Sequence, residues 1–227
     1  MLVRGDHVPE LFFHHKASPF VRKPLLVIAE LGVAVDERPI DFRTPAAMDD
    51  YARINPNRRF PALRDGDLVL WESSAIIRYL ARDQPRWLGS SPHAAALVDQ
   101  WLAWELAHLG PALLGLQNLR LGFRPSPPRD EPTLAADAAK LLAILDDALA
   151  TRSHVAGDIS IADLAIAADL TFADEARLIA GPYANVERWF ASIRERASWQ
   201  QTDQMKRDTL AAFGVTIKPV DAPPVTP

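Results

Sequence analysis

The chain contains no cysteine among its 227 residues. It can therefore form no disulfide of its own, build no thiolate metal site and run no chemistry through a thiol of its own. It also lacks a surplus of positive charge. Twenty-five Lys and Arg stand against 29 Asp and Glu, a net charge of −4, which provides no broad attraction to nucleic acid or anionic lipid. Long hydrophobic runs are missing as well. The longest near the N-terminus, Leu25 to Ala29, is far short of the roughly 20 apolar residues that a membrane-spanning helix needs. The opening "MLVRGDHVPELFF" has neither the basic start nor the apolar run of a secretory leader. These absences point to a cytoplasmic protein with a small-molecule partner, no nucleic acid and no membrane. What is present, 48% hydrophobic and 24% charged residues, is an ordinary globular composition with enough chain for one large domain or two modest ones.

Residues 10–84 mix strand and helix signals. "ELFFHH" reads as an aromatic strand, in which His14 and His15 would point to opposite faces and form no paired ligand site. "SPFVRKPLLVIAELG" has the apolar spacing of a buried helix ended by Gly32, and "VAVDERPIDF" reads as a strand parallel to the first. "PAAMDDYARIN" is a short helix. "FPALRDGDLVLW" is a hairpin turning at Asp65-Gly66. The order is β-α-β-α-β-β-α, an α/β unit spanning 8–84. After a linker at 85–92 the strand signals stop. Long helices are predicted over "HAAALVDQWLAWELAHLGPALLGLQNLRL", with Leu97, Trp101, Trp104 and His108 on one face, and over "LAADAAKLLAILDDALATR", "SIADLAIAADLTFADEARLI" and "YANVERWFASIRERAS". "GFRPSPPRDEPT" is a loop. An all-α domain then covers 93–213, and 214–227 is an extended tail with little to bury.

Chemistry concentrates in "NPNRRFPALRDGDLVLWESSAIIRYL". Pro61 heads a strand although it cannot donate to the ladder, and Glu72, Ser73 and Ser74 gather where a helix begins. Taken alone, Ser73 is a plain helix cap, Glu72 an acid favouring a helix N-terminus, and Arg58 and Arg59 a solvated pair. Together, Asn55, Pro56, Pro61, Leu63, Asp65, Gly66, Glu72, Ser73 and the helix through Ile76, Ile77 and Tyr79 resemble the cytosolic glutathione S-transferase family. "GDISIADL" at 157–164 is similar to that family's helical-domain capping motif. The resemblance covers residues 10–213 and implies a thioredoxin-like domain followed by an all-helical one.

It further implies a cis bond before Pro61 that turns the N–H and C=O of Phe60 towards glutathione, an extended tripeptide. Glu72 and Ser73 would hold the γ-glutamyl end, Ser73 capping a helix that starts near Ser74, and Arg59 the glycyl carboxylate. Conjugation needs a thiolate, and a thiol near its ordinary pKa of about 8.5 is only a few per cent ionised at neutral pH. The resemblance assigns the stabilising donor to the loop "HHKASPFVRK", where Ser18 is the hydroxyl. Ser18-Pro19 is equally a common way to start a helix. Trp104 and His108 would line the pocket for an apolar electrophile, or else pack in the core. Ser160 to Asp163 form a capping box with a folding role.

The implied protein is a serine-type transferase of detoxification type that uses glutathione as co-substrate, needs no metal and works as a homodimer. Three departures stand out. Arg58 occupies a position where the family usually has glycine, Pro24 should kink the first helix or move its start, and the Pro-rich loop at 122–132 has no counterpart. They leave open a non-catalytic glutathione-fold binding or regulatory protein. A glutathione-dependent isomerase or dehalogenase is a third reading.

Overall fold

A computed structural model describes residues 8–123, 129–179 and 181–226. The central prolines of the loop at 122–132 lie outside the described residues. The first part of the chain follows the expected order: β1 (Glu10–Phe13), α1 (Pro19–Leu31), β2 (Asp36–Pro39), α2 (Pro45–Tyr51), β3 (Ala62–Asp65), β4 (Leu68–Trp71) and α3 (Ser73–Leu80). The strands form one mixed sheet in the order β2-β1-β3-β4. β1 and β2 are parallel, Glu10 beside Asp36 and Phe13 beside Pro39, as a crossover through α1 requires. β3 runs antiparallel to both β1 and β4. This is a thioredoxin-like unit. Its hairpin turns one residue later than the Asp-Gly dipeptide predicts. Asp65 pairs with Leu68, so the loop is Gly66-Asp67, and Gly66 takes φ +59 at the first loop position, where a primed turn needs glycine.

Every described element after α3 is helical: α4 (Pro85–Leu88), α5 (Pro92–Trp104), a π-helical turn (Glu105–Leu109), α6 (Gly110–Arg120), α7 (Glu131–Leu149), α8 (Ile161–Asp169), α9 (Ala184–Arg194) and α10 (Ala197–Ala212). The predicted single helix over 93–121 is thus broken. Pro111 has no N–H to offer the preceding turn, and Gly110 N–H bonds to the Glu105 carbonyl five residues back. The third predicted helix stops at Asp169, earlier than its apolar run suggested. The fourth gives way to α10, whose buried face is Ser198, Trp199, Thr202 and Lys206. So polar a face leaves no apolar periodicity to read.

α1 lies at the centre. Residues 21–27 are buried without a gap, and α3, α8 and α10 all pack on it. The helix runs unbroken from Pro19 through Pro24, so Pro24 neither ends it nor moves its start. One bond to the Phe20 carbonyl is forgone, and the neighbours that enclose the helix hold it in place. Arg22 sits 3.8 Å over the Trp199 ring and donates to Thr202 Oγ1 at 3.3 Å and Asp203 Oδ1 at 3.4 Å. Burial pulls it down to about 10 against the pull of Asp203. At the start of α8 the capping box forms as expected, with Ser160 N–H donating to Asp163 Oδ2 at 2.9 Å. Asp163 also accepts from Val155 N–H and from Trp189 Nε1, each at 3.0 Å, so it ties α8 to α9 as well as capping its own helix.

The tail is extended, yet it does bury something. Val220 N–H bonds to the Glu175 carbonyl at 2.9 Å, and Val225 is 1% exposed beside Gly181. A single apolar anchor in a Pro-rich segment carries too little pattern to be predicted.

Candidate active site

The sheet register brings three chain segments to one edge. β1 and β3 are antiparallel with Phe12 beside Ala62, so the exit of β1 and the entry of β3 coincide. Ala62 also pairs with Trp71, which sets Phe60-Pro61 beside Glu72-Ser73 where β4 runs into α3. The loop from His14 to Ser18, the Phe60-Pro61 pair and the head of α3 therefore converge.

Ser18 occupies the N-cap position of α1 with φ −70 and ψ 128, but its side chain makes no capping bond. Its carbonyl accepts from Arg22 N–H at 2.8 Å, and the residue is 8% exposed. Pro19, at the first helical position, starts the helix without help from the hydroxyl. Capping therefore leaves the Ser18 hydroxyl uncommitted.

The loop before Pro61 is pinned from below. Tyr51 Oη and Asn55 Nδ2 both donate to the Arg59 carbonyl, at 2.7 and 2.6 Å. Asn57 N–H bonds to Asn55 Oδ1 at 3.0 Å, and Arg58 N–H to the Asn55 carbonyl at 2.9 Å. Arg58 takes φ 53, the left-handed backbone a glycine adopts without strain. The loop shape is thus kept with the wrong residue type, while the Arg58 side chain turns out to Asp49 at 2.8 Å. The Phe60-Pro61 bond is cis. The Phe60 ring is stacked between Tyr51 and His14, with centroids at 4.3 and 4.8 Å. Its N–H and C=O take no hydrogen bond among the described residues, in contrast to those of the strand that follows.

At the head of α3 the structure corrects the expected cap by one position. Glu72 flanks the helix with φ 71, and Ser73 is its first residue. Ser73 is buried, and Glu72 and Arg59 are exposed. A positive φ at a non-glycine residue costs of order 1–3 kcal/mol, and such residues cluster at ligand sites. The Arg59 guanidinium holds no ion pair among the described residues, whereas its neighbour Arg58 does.

His14 and His15 lie beyond the end of β1 in a bend, and their rings are 3.9 Å apart instead of on opposite faces. His15 also meets Phe42 and Phe213 edge-on. Burial holds it below the ordinary imidazole range, so it is neutral at pH 7. Among the described residues no group of three or more His, Asp or Glu could hold a metal ion, and no helix is long and apolar enough to cross a membrane.

Trp104 and His108 do not sit on one regular helical face. Trp104 ends α5, half-buried and edge-on to Trp101 at 5.0 Å, while His108 is exposed within the π turn. Between them Glu105 is buried, and it reaches Lys23 on α1, which donates to Glu105 Oε1 at 2.6 Å. Lys23 also lies 3.1 Å from Asp169 Oδ1 at the end of α8. Sequence reasoning missed these three residues. The available signal was a charge inside each of three apolar runs, "FVRKPLLV", "LAWELAHL" and "LAIAADL".

Comparison with known proteins agrees with this geometry. Residues 11–82 match the family model of the glutathione S-transferase N-terminal domain. The chain is 33% identical over 193 residues to the Escherichia coli glutathione S-transferase GstB, covering 79% of this chain and 90% of that protein. It is 32% identical over 219 residues to Arabidopsis thaliana glutathione S-transferase F9, covering 86% and 96%. Among solved structures, the theta class glutathione S-transferase of Xanthomonas axonopodis pv. citri, with glutathione bound, superposes with a TM-score of 0.74 at 29% identity, covering 86% of this chain and 96% of that one. With its sheet register, its cis Phe60-Pro61 bond and relatives that it matches over most of their length, the chain belongs to the glutathione S-transferase family.

Proposed function

We propose that this protein is a glutathione transferase that binds glutathione along residues 59–73 and directs its sulfur at an apolar electrophile. The observation that carries the reading is the meeting, at one sheet edge, of a serine hydroxyl not used for capping and a main-chain N–H and C=O without partners among the described residues. Phe60 pairs with the cysteinyl part of the tripeptide as a short added strand. Glu72 offsets the γ-glutamyl ammonium, and the γ-glutamyl carboxylate meets Ser73 and the free N–H groups at the head of α3. Arg59, with no ion pair to break among the described residues, takes the glycyl carboxylate. Trp104 and His108 face the electrophile.

Ser18 donates its O–H to the sulfur and so favours the thiolate over the thiol. With an aryl halide the thiol proton passes to solvent, a carbon–sulfur bond forms, and halide leaves with the electrons of the broken carbon–halogen bond. No metal takes part. The glutathione-binding domain is assigned to 8–84, the linker to 85–92 and the helical domain to 93–213. Exposed Leu68, Val69 and Trp71 on β4 support a homodimer, and the composition supports a cytoplasmic site. The two features that favoured a non-catalytic binding module, Arg58 and Pro24, leave the loop before Pro61 and the start of α1 in place.

Conjugation of an aryl halide by wild type and Ser18→Ala tests the proposal. Each pKa unit by which the bound thiol rises should cost about tenfold in thiolate, and so in kcat, at pH 7. Equal rates would remove Ser18 from the mechanism.

A further inference from the structure

A costly buried arrangement involves α1, the helix that Ser18 heads. Lys23, Glu105 and Asp169 come from α1, the π turn and α8, and none is more than 1% exposed. Counting charges as at neutral pH in water, one ammonium faces two carboxylates. The excess is one buried negative charge, which a protein interior does not tolerate unpaired. The geometry shows where a proton would go. Lys23 Nζ donates to Glu105 Oε1 at 2.6 Å, yet Glu105 Oε2 and both Asp169 oxygens lack any hydrogen-bond donor of good geometry. A Cβ at Gly110 would lie 3.1 Å from Glu105 Oε1 and 3.2 Å from Asp169 Oδ2, so the two carboxyl groups face one small space that a glycine keeps open. The same Cβ would stand 3.1 Å from the Glu105 carbonyl, which accepts the π-turn bond from Gly110 N–H.

We propose that Glu105 and Asp169 share a single proton, and that the resulting neutral cluster with Lys23 is a positioning device. It clamps the π turn, and with it Trp104 and His108, to the helix that Ser18 heads. A proton on one carboxyl group cancels the surplus charge and supplies an O–H donor for the other. The π turn inserts one residue, and one residue is about 100° of helix rotation. If the clamp lets the turn revert to ordinary α-helix, His108 swings relative to Trp104. The positioning half of this inference rests on the reading of those two residues as the electrophile wall. The proton-sharing half does not.

Burial pushes Asp169 well above the usual carboxylate range; its contact with Glu105 adds to this and Lys23 opposes it. Lys23 stays charged, because its two carboxyl partners outweigh its own burial. Among the described residues no hydrogen bond or ion pair joins another charged side chain to the cluster; Glu30 of α1 holds Arg196, and Arg194 of α9 holds Asp174. Arg22 of α1 turns to Trp199 and Asp203 of α10, Asp163 of α8 is bonded to Ser160, Val155 and Trp189, and Arg78 of α3 pairs with Asp99 of α5. Arg120 of α6 bonds to Glu131 and the carbonyls of Ala176 and Arg177, and Arg188 of α9 to Asn185 and Leu149.

The sign of the pH effect follows. Asp169 ionises near 3.9 in the unfolded chain and higher in the folded one, so unfolding releases its proton, and this contribution to stability is lost as pH rises towards the folded value. Asp169→Asn mimics the protonated form and removes the effect. Urea unfolding between pH 5 and 7 should give wild type an unfolding constant that rises about tenfold more per pH unit than that of Asp169→Asn. Parallel slopes would overturn the proposal.

A second measurement needs no stable Asn variant. Infrared spectra of wild type in D2O at pH 7 should show the C=O stretch of a protonated carboxyl group. Asp169→Asn and Glu105→Gln should each remove it, and its absence, or its survival in both variants, would overturn the shared proton. For positioning, the wild-type KM for an aryl halide should rise at alkaline pH while that for glutathione holds, and Asp169→Asn should not follow. A carboxyl band without that split would overturn the clamp. A calorimetric titration without glutathione binding would sink the transferase reading and leave the band untouched.

Discussion

Two regions frame the proposed site, and they are held together in opposite ways. Residues 55–73 work through the main chain. The Arg59 carbonyl is fixed by two donors, Arg58 and Glu72 sit at positive φ, and the Phe60 N–H and C=O take no hydrogen bond among the described residues. The contact of α1 with the π turn and α8 works through side chains in a dry interior, where Lys23 meets Glu105 and Asp169. The first is local, part-buried and cheap to alter. The second joins residues 82 positions apart by a 2.6 Å bond and loses a great deal if any member is removed.

Three substitutions would sharpen or break that contrast. Lys23→Met should have the largest effect. It leaves the carboxyl pair without its cation, and breaking a buried pair costs about 3–5 kcal/mol, read as a fall in the urea midpoint. A loss under 1 kcal/mol would mean the cluster is not the dry, coupled group described. Tyr51→Phe should come next. It removes one of two donors to the Arg59 carbonyl and should cost about 1 kcal/mol, with a weaker grip on glutathione seen by calorimetry. Arg58→Gly should matter least. It relieves the left-handed backbone and gives up an exposed ion pair, while glycine's freedom in the unfolded chain offsets the gain, so stability should stay within about 0.5 kcal/mol of wild type. A larger loss would show that the Arg58 side chain does more than reach Asp49.

The same contrast explains what could be read in the sequence. The order of strands and helices up to residue 80, the parallel pairing of β1 with β2, and the capping box at Ser160 and Asp163 were legible, because turns, caps and periodicity are properties of neighbouring residues. Some errors there were shifts of one residue, as at Gly66-Asp67 and at Ser73, while His14 and His15 came together instead of on opposite faces and Pro24 left α1 unbroken. The break near Glu105 had a local mark in Gly110-Pro111, but the partners that Glu105 meets there, Lys23 of α1 and Asp169 of α8, lie far away in the chain and were not legible. α10 went unread because what it buries is a guanidinium's partners and not an apolar stripe. The roles proposed for Ser18, Arg59 and Glu72 were implied by the resemblance to the family, and no one of these residues signals a ligand alone.

A calorimetric titration of the purified protein with glutathione tests the central claim most directly. Saturable binding that weakens when Arg59 is replaced by Ala is the predicted result. No heat of binding at millimolar glutathione, with the protein folded, would contradict the whole account of residues 59–73.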